Sequence, residues 1–204
     1  MINTRGSLLV ISGPSGVGKG TVRARVFEMD DTFVYSVSAT SRAMREGEVE
    51  GKDYFFVTKE KFEQMIANGE LLEYTCYNDK YYGTPKAYVE KCLSEGKNVV
   101  LEIETEGAFN IRRVCSDALL VFIAPEFKEE LYDRLRGRGT NTEEDIENRV
   151  KIAEKELRLS PLYDYIVVNR DGMVDECARD ILAVARAAKA RPAAMTDFVR
   201  ALTE

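Results

Sequence analysis

The chain has 204 residues, 45% hydrophobic and 31% charged, with a net charge of −6. That size and balance fit one soluble domain with a real core, and no apolar run approaches the ~20 residues of a membrane span. The acidic balance argues against a nucleic-acid partner, and the complete lack of histidine excludes histidine triads, histidine metal sites and a histidine base.

From the N-terminus, MINTRGS leads straight into the strand-like run 7–12. That leaves no room for a signal peptide, so a cytoplasmic location is expected. Cys76, Cys92, Cys115 and Cys177 are far apart and lack metal-type spacing, which reads as reduced, structural thiols. A glycine-rich loop follows, then a helical pattern over 20–29. The stretch 33–84 is rich in Tyr, Phe, Thr and Gly, with short strand-like pieces FVYSVS, YFFV and LLEYTCY. A helix at 86–95 leads to strands at 99–103, 118–124 and 164–168, separated and followed by helical patterns at 106–115, 126–137, 142–159 and 173–190. ARPAA at 190–194 breaks the last long helix.

Strands alternating with helices predict an α/β fold, a parallel sheet with helices on both faces. The domain reading is one unit over 1–204. Its core would be 1–32, 97–133 and 160–204, with a small mixed α+β insert at 33–96 and a helical lid at 134–159.

The loop reads SGPSGVGKGT over 12–21. A buried strand, glycines at 13, 16 and 18, and a helix start aim backbone N–H groups and a positive dipole end at one point. G-x-x-x-x-G-K from Gly13 to Lys19 is the phosphate loop of P-loop NTPases, with Lys19 reaching the outer phosphates. Its usual next residue is a magnesium-binding hydroxyl. Here that position is Gly20, and the hydroxyl comes one residue later at Thr21. The loop therefore indicates a nucleoside triphosphate and leaves the metal ligand open.

Arg42 and Arg45, closed by Tyr54, could clamp a second phosphate or could form a solvated basic loop. Glu73 sits in the apolar run LLEYTCY beside Tyr81, Tyr82 and Gly83. It either faces water or accepts N–H donors from a planar base. Arg134, Arg136, Arg138 and Arg149 crowd a glycine-flanked loop, and Thr142 with Glu143, Glu144 and Asp145 looks like a helix start. This is a lid over phosphates or a set of surface salt bridges, and Arg136 fits the second better. Glu102 and Glu104 end a buried strand, where the ligand crevice of an open α/β sheet lies. Acids there could hold magnesium through water or contact an acceptor.

Two phosphate-handling clusters suggest two phosphorylated ligands facing each other. An acceptor that is itself a phosphate is already an anion and needs no strong base, which suits a chain without histidine. This favours a nucleoside monophosphate kinase over a kinase acting on a hydroxyl.

GPSGVGKGT, SVSATSRAMREGEVEGKDYFFV, LLEY, YYGTP, LEIETEGA and FIAP with RLRGRGTNTEEDIENR occur in one order. Together they resemble guanylate kinases, over roughly residues 7–171. The resemblance implies transfer of the γ-phosphate of ATP to GMP, giving ADP and GDP, with Mg2+ as cofactor and dGMP as a further acceptor. Residues Gly13, Pro14, Ser15, Gly16, Val17, Gly18, Lys19, Gly20 and Thr21 would bind ATP phosphates. Ser38 and Glu73 would read guanine, with Thr84 near the base. Arg42, Arg45, Tyr54 and Tyr82 would hold the GMP phosphate. Arg134, Arg138 and Arg149 would reach the ATP phosphates and the transferring group, and Asn169 would lie near adenine. Lys19, Arg45, Arg134, Arg138 and Arg149 form the expected catalytic set. Glu102 and Glu104 match a pair that is often Asp-x-Asp and would face GMP. Magnesium would be held by phosphates and water, with Thr21 and Glu102 as protein candidates.

Three departures from the family pattern stand out. The acids at 102 and 104 are a methylene longer than aspartates, Glu106 stands where glutamine is common, and Arg170 where an acid is common. Three other readings compete. One is a related kinase acting on AMP, UMP or a ribose phosphate. Another is a non-catalytic guanylate-kinase-like module, which usually carries a damaged phosphate loop. The last is a P-loop GTPase, but VNRD at 168–171 does not supply the guanine motif N-K-x-D.

Overall fold

The computed structural model describes residues 5–137 and 143–203. The chain runs β1 (Leu8–Ser12), α1 (Lys19–Met29), β2 (Phe33–Tyr35), β3 (Ser38–Thr40), β4 (Tyr54–Phe56) and α2 (Lys59–Ala67). It continues through β5 (Leu71–Tyr77), β6 (Lys80–Pro85), α3 (Lys86–Ser94), β7 (Asn98–Glu102), α4 (Thr105–Val114) and β8 (Leu119–Ala124). The last elements are α5 (Glu129–Gly137), α6 (Glu143–Leu159), β9 (Tyr165–Val168), α7 (Val174–Ala188) and α8 (Thr196–Thr203).

A five-stranded sheet has the order β2-β7-β1-β8-β9, and each pairing is parallel. Every residue of β1 is buried, as expected of a central strand covered on both faces. The pleat divides its side chains between two layers. Leu9 and Ile11 pack with Val22 and Val26 of α1 and Ile181 of α7. Leu8 and Val10 pack with Val89 and Leu93 of α3 and Ile111 of α4. The α/β expectation, with helices on both faces, holds.

The second sheet has the order β4-β3-β6-β5. Its β5–β6 hairpin turns at Asn78 and Asp79, both at positive φ (48° and 59°), the conformation that two-residue hairpins need. Phe62 and Met65 of α2, with Ala39, make a small core of their own under this sheet.

Two local readings are corrected. FVYSVS is not one strand of the insert. Phe33–Tyr35 pairs in parallel with Asn98–Val100 at the edge of the large sheet, and Ser38–Thr40 alone joins the small one. Three residues are too few to display a period that would separate them. The helix Lys59–Ala67 was not expected. Its signals were present: Thr58 caps it by accepting from the Lys61 N–H at 3.1 Å, and Phe62, Met65 and Ile66 share one face at helical spacing.

Candidate active site

The phosphate loop leaves the carboxyl end of β1 and enters α1. Two glycines are fixed by their surroundings. A Cβ on Gly13 would stand 2.3 Å from the Ile123 carbonyl, and one on Gly18, at φ +90°, would stand 2.7 Å from Asn169 Nδ2. Gly20 differs, with nothing within 4 Å of a Cβ there. Packing therefore does not explain the missing hydroxyl. Lys19 Nζ donates to the carbonyls of Gly13 at 2.5 Å and Pro14 at 3.1 Å, and Val17 is buried in the core. A cavity of about 250 Å³ opens over the loop, lined by Ser15, Gly16, Gly18, Lys19, Gly20, Thr21 and Glu102.

A second cavity, of about 340 Å³, lies between the two sheets. Ser38, Tyr54, Glu73, Tyr82, Glu102 and Glu104 all line it. The structure thus brings together six residues that sequence reading placed with one ligand. Glu102 lines both cavities, because β7 neighbours β1 and pairs Glu102 with Ile11, just before the loop.

Behind Glu73 stands Thr84, fully buried, whose hydroxyl donates to Glu73 Oε1 at 2.7 Å. Burial pushes the Glu73 carboxyl above its ordinary pKa, with the Thr84 bond working against the shift. Arg42 grips Glu48 through two bonds of 2.6 and 2.5 Å and lies over the Tyr54 ring, 4.9 Å from its centroid. That fork holds the half-buried Glu48 carboxyl down at about 2. Tyr54 meets Tyr82 edge-on at 6.0 Å. Arg45 is exposed, and its backbone N–H also bonds to Glu48.

On the lid side, Arg149 of α6 donates to Ser15 Oγ at 3.2 Å. Arg134 is turned to the back of the loop. It donates to the carbonyls of Val17 and Asn169 and to the carboxylates of Glu130 and Asp171. Asn169 is itself buried, its Nδ2 donating to the Val17 carbonyl at 2.8 Å. Both support the loop from beneath in this conformation. Arg138 and Thr142 lie outside the described residues. Arg136 pairs with Glu143 on the exposed surface, and Arg170 with Glu126.

Sequence reading missed three groups. Arg23 of α1 pairs with Glu102 at 2.9 Å and lies over Tyr35, 4.3 Å from the ring centroid. Glu48 is the partner of Arg42. Glu156 of α6 faces Lys19 and Glu104, and its partial burial raises its pKa. The helical spacing of seven from Arg149 to Glu156 was a usable signal, since it puts both on one face of α6. The pairing of Arg23 with Glu102 depends on the sheet order, which the sequence does not display.

A family model for guanylate kinase matches residues 5–187. The chain is 54% identical to a guanylate kinase of Lactococcus lactis subsp. lactis over 165 residues, 81% of this chain and 80% of the relative. It is 52% identical to a guanylate kinase of Bacillus cereus over 170 residues, 83% of each. The crystal structure of guanylate kinase from Anaplasma phagocytophilum superposes with a TM-score of 0.68 at 33% identity, covering 92% of this chain and 88% of that one.

Proposed function

This chain belongs to the guanylate kinase family, and we propose that it transfers the γ-phosphate of ATP to GMP, releasing ADP and GDP. One observation carries the reading. A phosphate loop and a separate cavity with a desolvated carboxylate meet at a single residue, Glu102. Donor and acceptor phosphates would face each other across it.

ATP enters with its phosphates in the loop cavity. Lys19 exchanges the Gly13 and Pro14 carbonyls for phosphate oxygens, and Arg149 adds charge from the lid. GMP enters the other cavity. Glu73, fixed by Thr84, accepts the paired N–H donors of guanine beside Ser38, while Arg42, Arg45, Tyr54 and Tyr82 address its phosphate. An oxygen of that phosphate attacks the γ-phosphorus, the bond to the ADP oxygen breaks, and no proton must leave the nucleophile first. Lys19 and Arg149 stabilise the charge spread over the transferring group. Closure of lid and insert would exclude water and suppress hydrolysis of ATP.

Magnesium fits the donor set. Among the described residues no group of three His, Cys, Asp or Glu side chains could cage a metal. The Thr21 hydroxyl and Glu102 carboxylate are hard oxygens beside the loop, and magnesium takes one or two such ligands together with phosphates and water. When bound with ATP it neutralises phosphate charge. No described helix is long and apolar enough to cross a membrane.

The test is a coupled ADP-release assay with ATP, magnesium and each of GMP, AMP, CMP and UMP. Release with GMP alone supports the reading. Release with another acceptor keeps the transfer and discards guanine recognition at Glu73. No release with any acceptor would sink the enzymatic reading.

A further inference from the structure

Arg23 lies four residues after Lys19, so it shares that face of α1. Its Nη1 stands 2.9 Å from Glu102 Oε2, and its guanidinium packs on Tyr35 at 4.3 Å. Three elements, α1, β2 and β7, thus each give one group to a single cluster. The pair is not an exposed surface bridge, since the Arg23 and Glu102 side chains are 29% and 22% accessible. Exposed pairs contribute little, but partial desolvation strengthens this one. Oε2 is buried and has no well-directed hydrogen bond, so Arg23 is its ionic partner. The carboxylate still lines both cavities, which leaves Oε1 to face the cleft. A glutamate has more rotamer freedom to lose than an aspartate. Paired at one oxygen with the Arg23 guanidinium, which is itself packed on Tyr35, Glu102 is ordered before substrates arrive.

We propose that Arg23 is a positioning residue that acts through Glu102. By gripping Oε2 from α1, it presents the other carboxylate oxygen where the donor and acceptor cavities meet, to accept hydrogen bonds from water around the phosphate-bound cation. The inference rests on the assignment of Glu102 to that junction.

The test is a double-mutant cycle with Arg23→Met, Glu102→Gln and the pair, together with Arg23→Lys. Glu102→Gln should lower kcat. Arg23→Met should lower kcat by about 10–100-fold, the usual effect of losing a group that orients a ligand to a metal or its water, and leave the KM for GMP within about threefold. Arg23→Lys keeps the charge without the fork and should recover part of the loss. In the Glu102→Gln background, Arg23→Met should cost nothing further. A second readout needs no turnover. Calorimetric titration with ADP, with magnesium and then with EDTA, should show the magnesium-dependent gain in affinity shrinking in both single variants. Equal losses from Arg23→Met in both backgrounds would overturn the dependence on Glu102. Normal turnover in Glu102→Gln would overturn the assignment beneath it. Should Arg23→Met not fold, Arg23→Lys carries the cycle, and unchanged kcat in that variant with unchanged magnesium gain would refute the proposal.

Discussion

Replacing Glu73 by Gln separates base reading from phosphate chemistry. The carboxylate offers two oxygens, and Thr84 takes part of Oε1 at 2.7 Å. Gln keeps one acceptor and turns the other into a donor. If the amide oxygen stays with Thr84, its NH2 faces the N–H groups of guanine. If it flips, the Thr84 hydroxyl faces the NH2. At least one hydrogen bond to a charged group is lost, worth about 1.5–3 kcal/mol, so GMP should bind about 10- to 150-fold more weakly. Glu73 does not line the loop cavity, so ATP should be unaffected. Calorimetry with each nucleotide measures both. The pH dependence adds a second signature. Burial raises the folded-state pKa of Glu73, so its contribution to stability is full below the unfolded value and lost as pH rises through the folded one. At neutral pH the wild type therefore carries a cost that Gln removes, and the ligand-free variant should melt higher. Wild-type GMP affinity should fall as pH drops through that raised pKa, and the variant should stay flat. Equal weakening of ATP and GMP, or a lower melting temperature with normal GMP binding, would refute the reasoning.

Lys19→Ala should lower kcat by about 10²–10³-fold or more while the protein melts normally, because it removes charge from the transferring group; circular dichroism and the coupled assay check both halves. Glu48→Gln should raise the KM for GMP about tenfold with little change in ATP binding, since it loosens the Arg42 fork. The Glu48 carboxyl sits at about 2, so its stabilising effect is present above the unfolded carboxyl value and is lost as pH falls through about 2. The wild-type KM for GMP should accordingly show no acid limb from this group between pH 5 and 8. Gly20→Ser should fold with a melting temperature no lower than wild type, because the Cβ meets nothing within 4 Å and Ser exceeds Gly in helix propensity by roughly 0.5 kcal/mol. Its hydroxyl should lower the magnesium concentration needed for half-maximal rate, and an unchanged requirement would place the cation away from residue 20. Arg134→Gln should cost roughly 1–3 kcal/mol in chemical denaturation, since several partners are left unpaired at once; normal stability with lost kcat would instead make it a phosphate ligand first.

The parts of the fold that read from sequence are those with long, one-valued patterns. LLVI and LLVFIA are apolar throughout because both sheet faces are covered, and α7 carries a clear buried stripe through Cys177, Ile181 and Ala185. The phosphate loop was legible because its backbone demands are local: Gly13 must pass under the Ile123 carbonyl and Gly18 must hold φ +90°. The insert was harder to read. Its strands β3 and β4, and the edge strand β2 just before it, run three residues each, shorter than any period can certify. Side-chain partners were hardest of all. Arg42 was visible as a cation, but Glu48, which aims it, looks like any acid in a polar loop. Arg23 meets Glu102 only because β7 lies beside β1, an adjacency set by long-range pairing rather than by spacing in the chain.

The cations of the site divide by what they hold in the absence of nucleotide. Lys19 and Arg149 rest on atoms of the phosphate loop itself, the Gly13 and Pro14 carbonyls and Ser15 Oγ. A phosphate entering the loop offers oxygens at the same place, so binding exchanges one hydrogen bond for a stronger, charge-assisted one. Arg42 and Arg134 instead hold carboxylates, Glu48 for the first and Glu130 with Asp171 for the second. A phosphate would have to compete with those anions, and each arginine gains more by keeping its partner and presenting a fixed edge. Stabilisation that grows toward the transition state must come from groups able to move onto the transferring charge. Groups with fixed partners supply orientation that is complete before binding. On the proposed reaction, the division would give rate to Lys19 and Arg149, and ligand placement and loop support to Arg42 and Arg134.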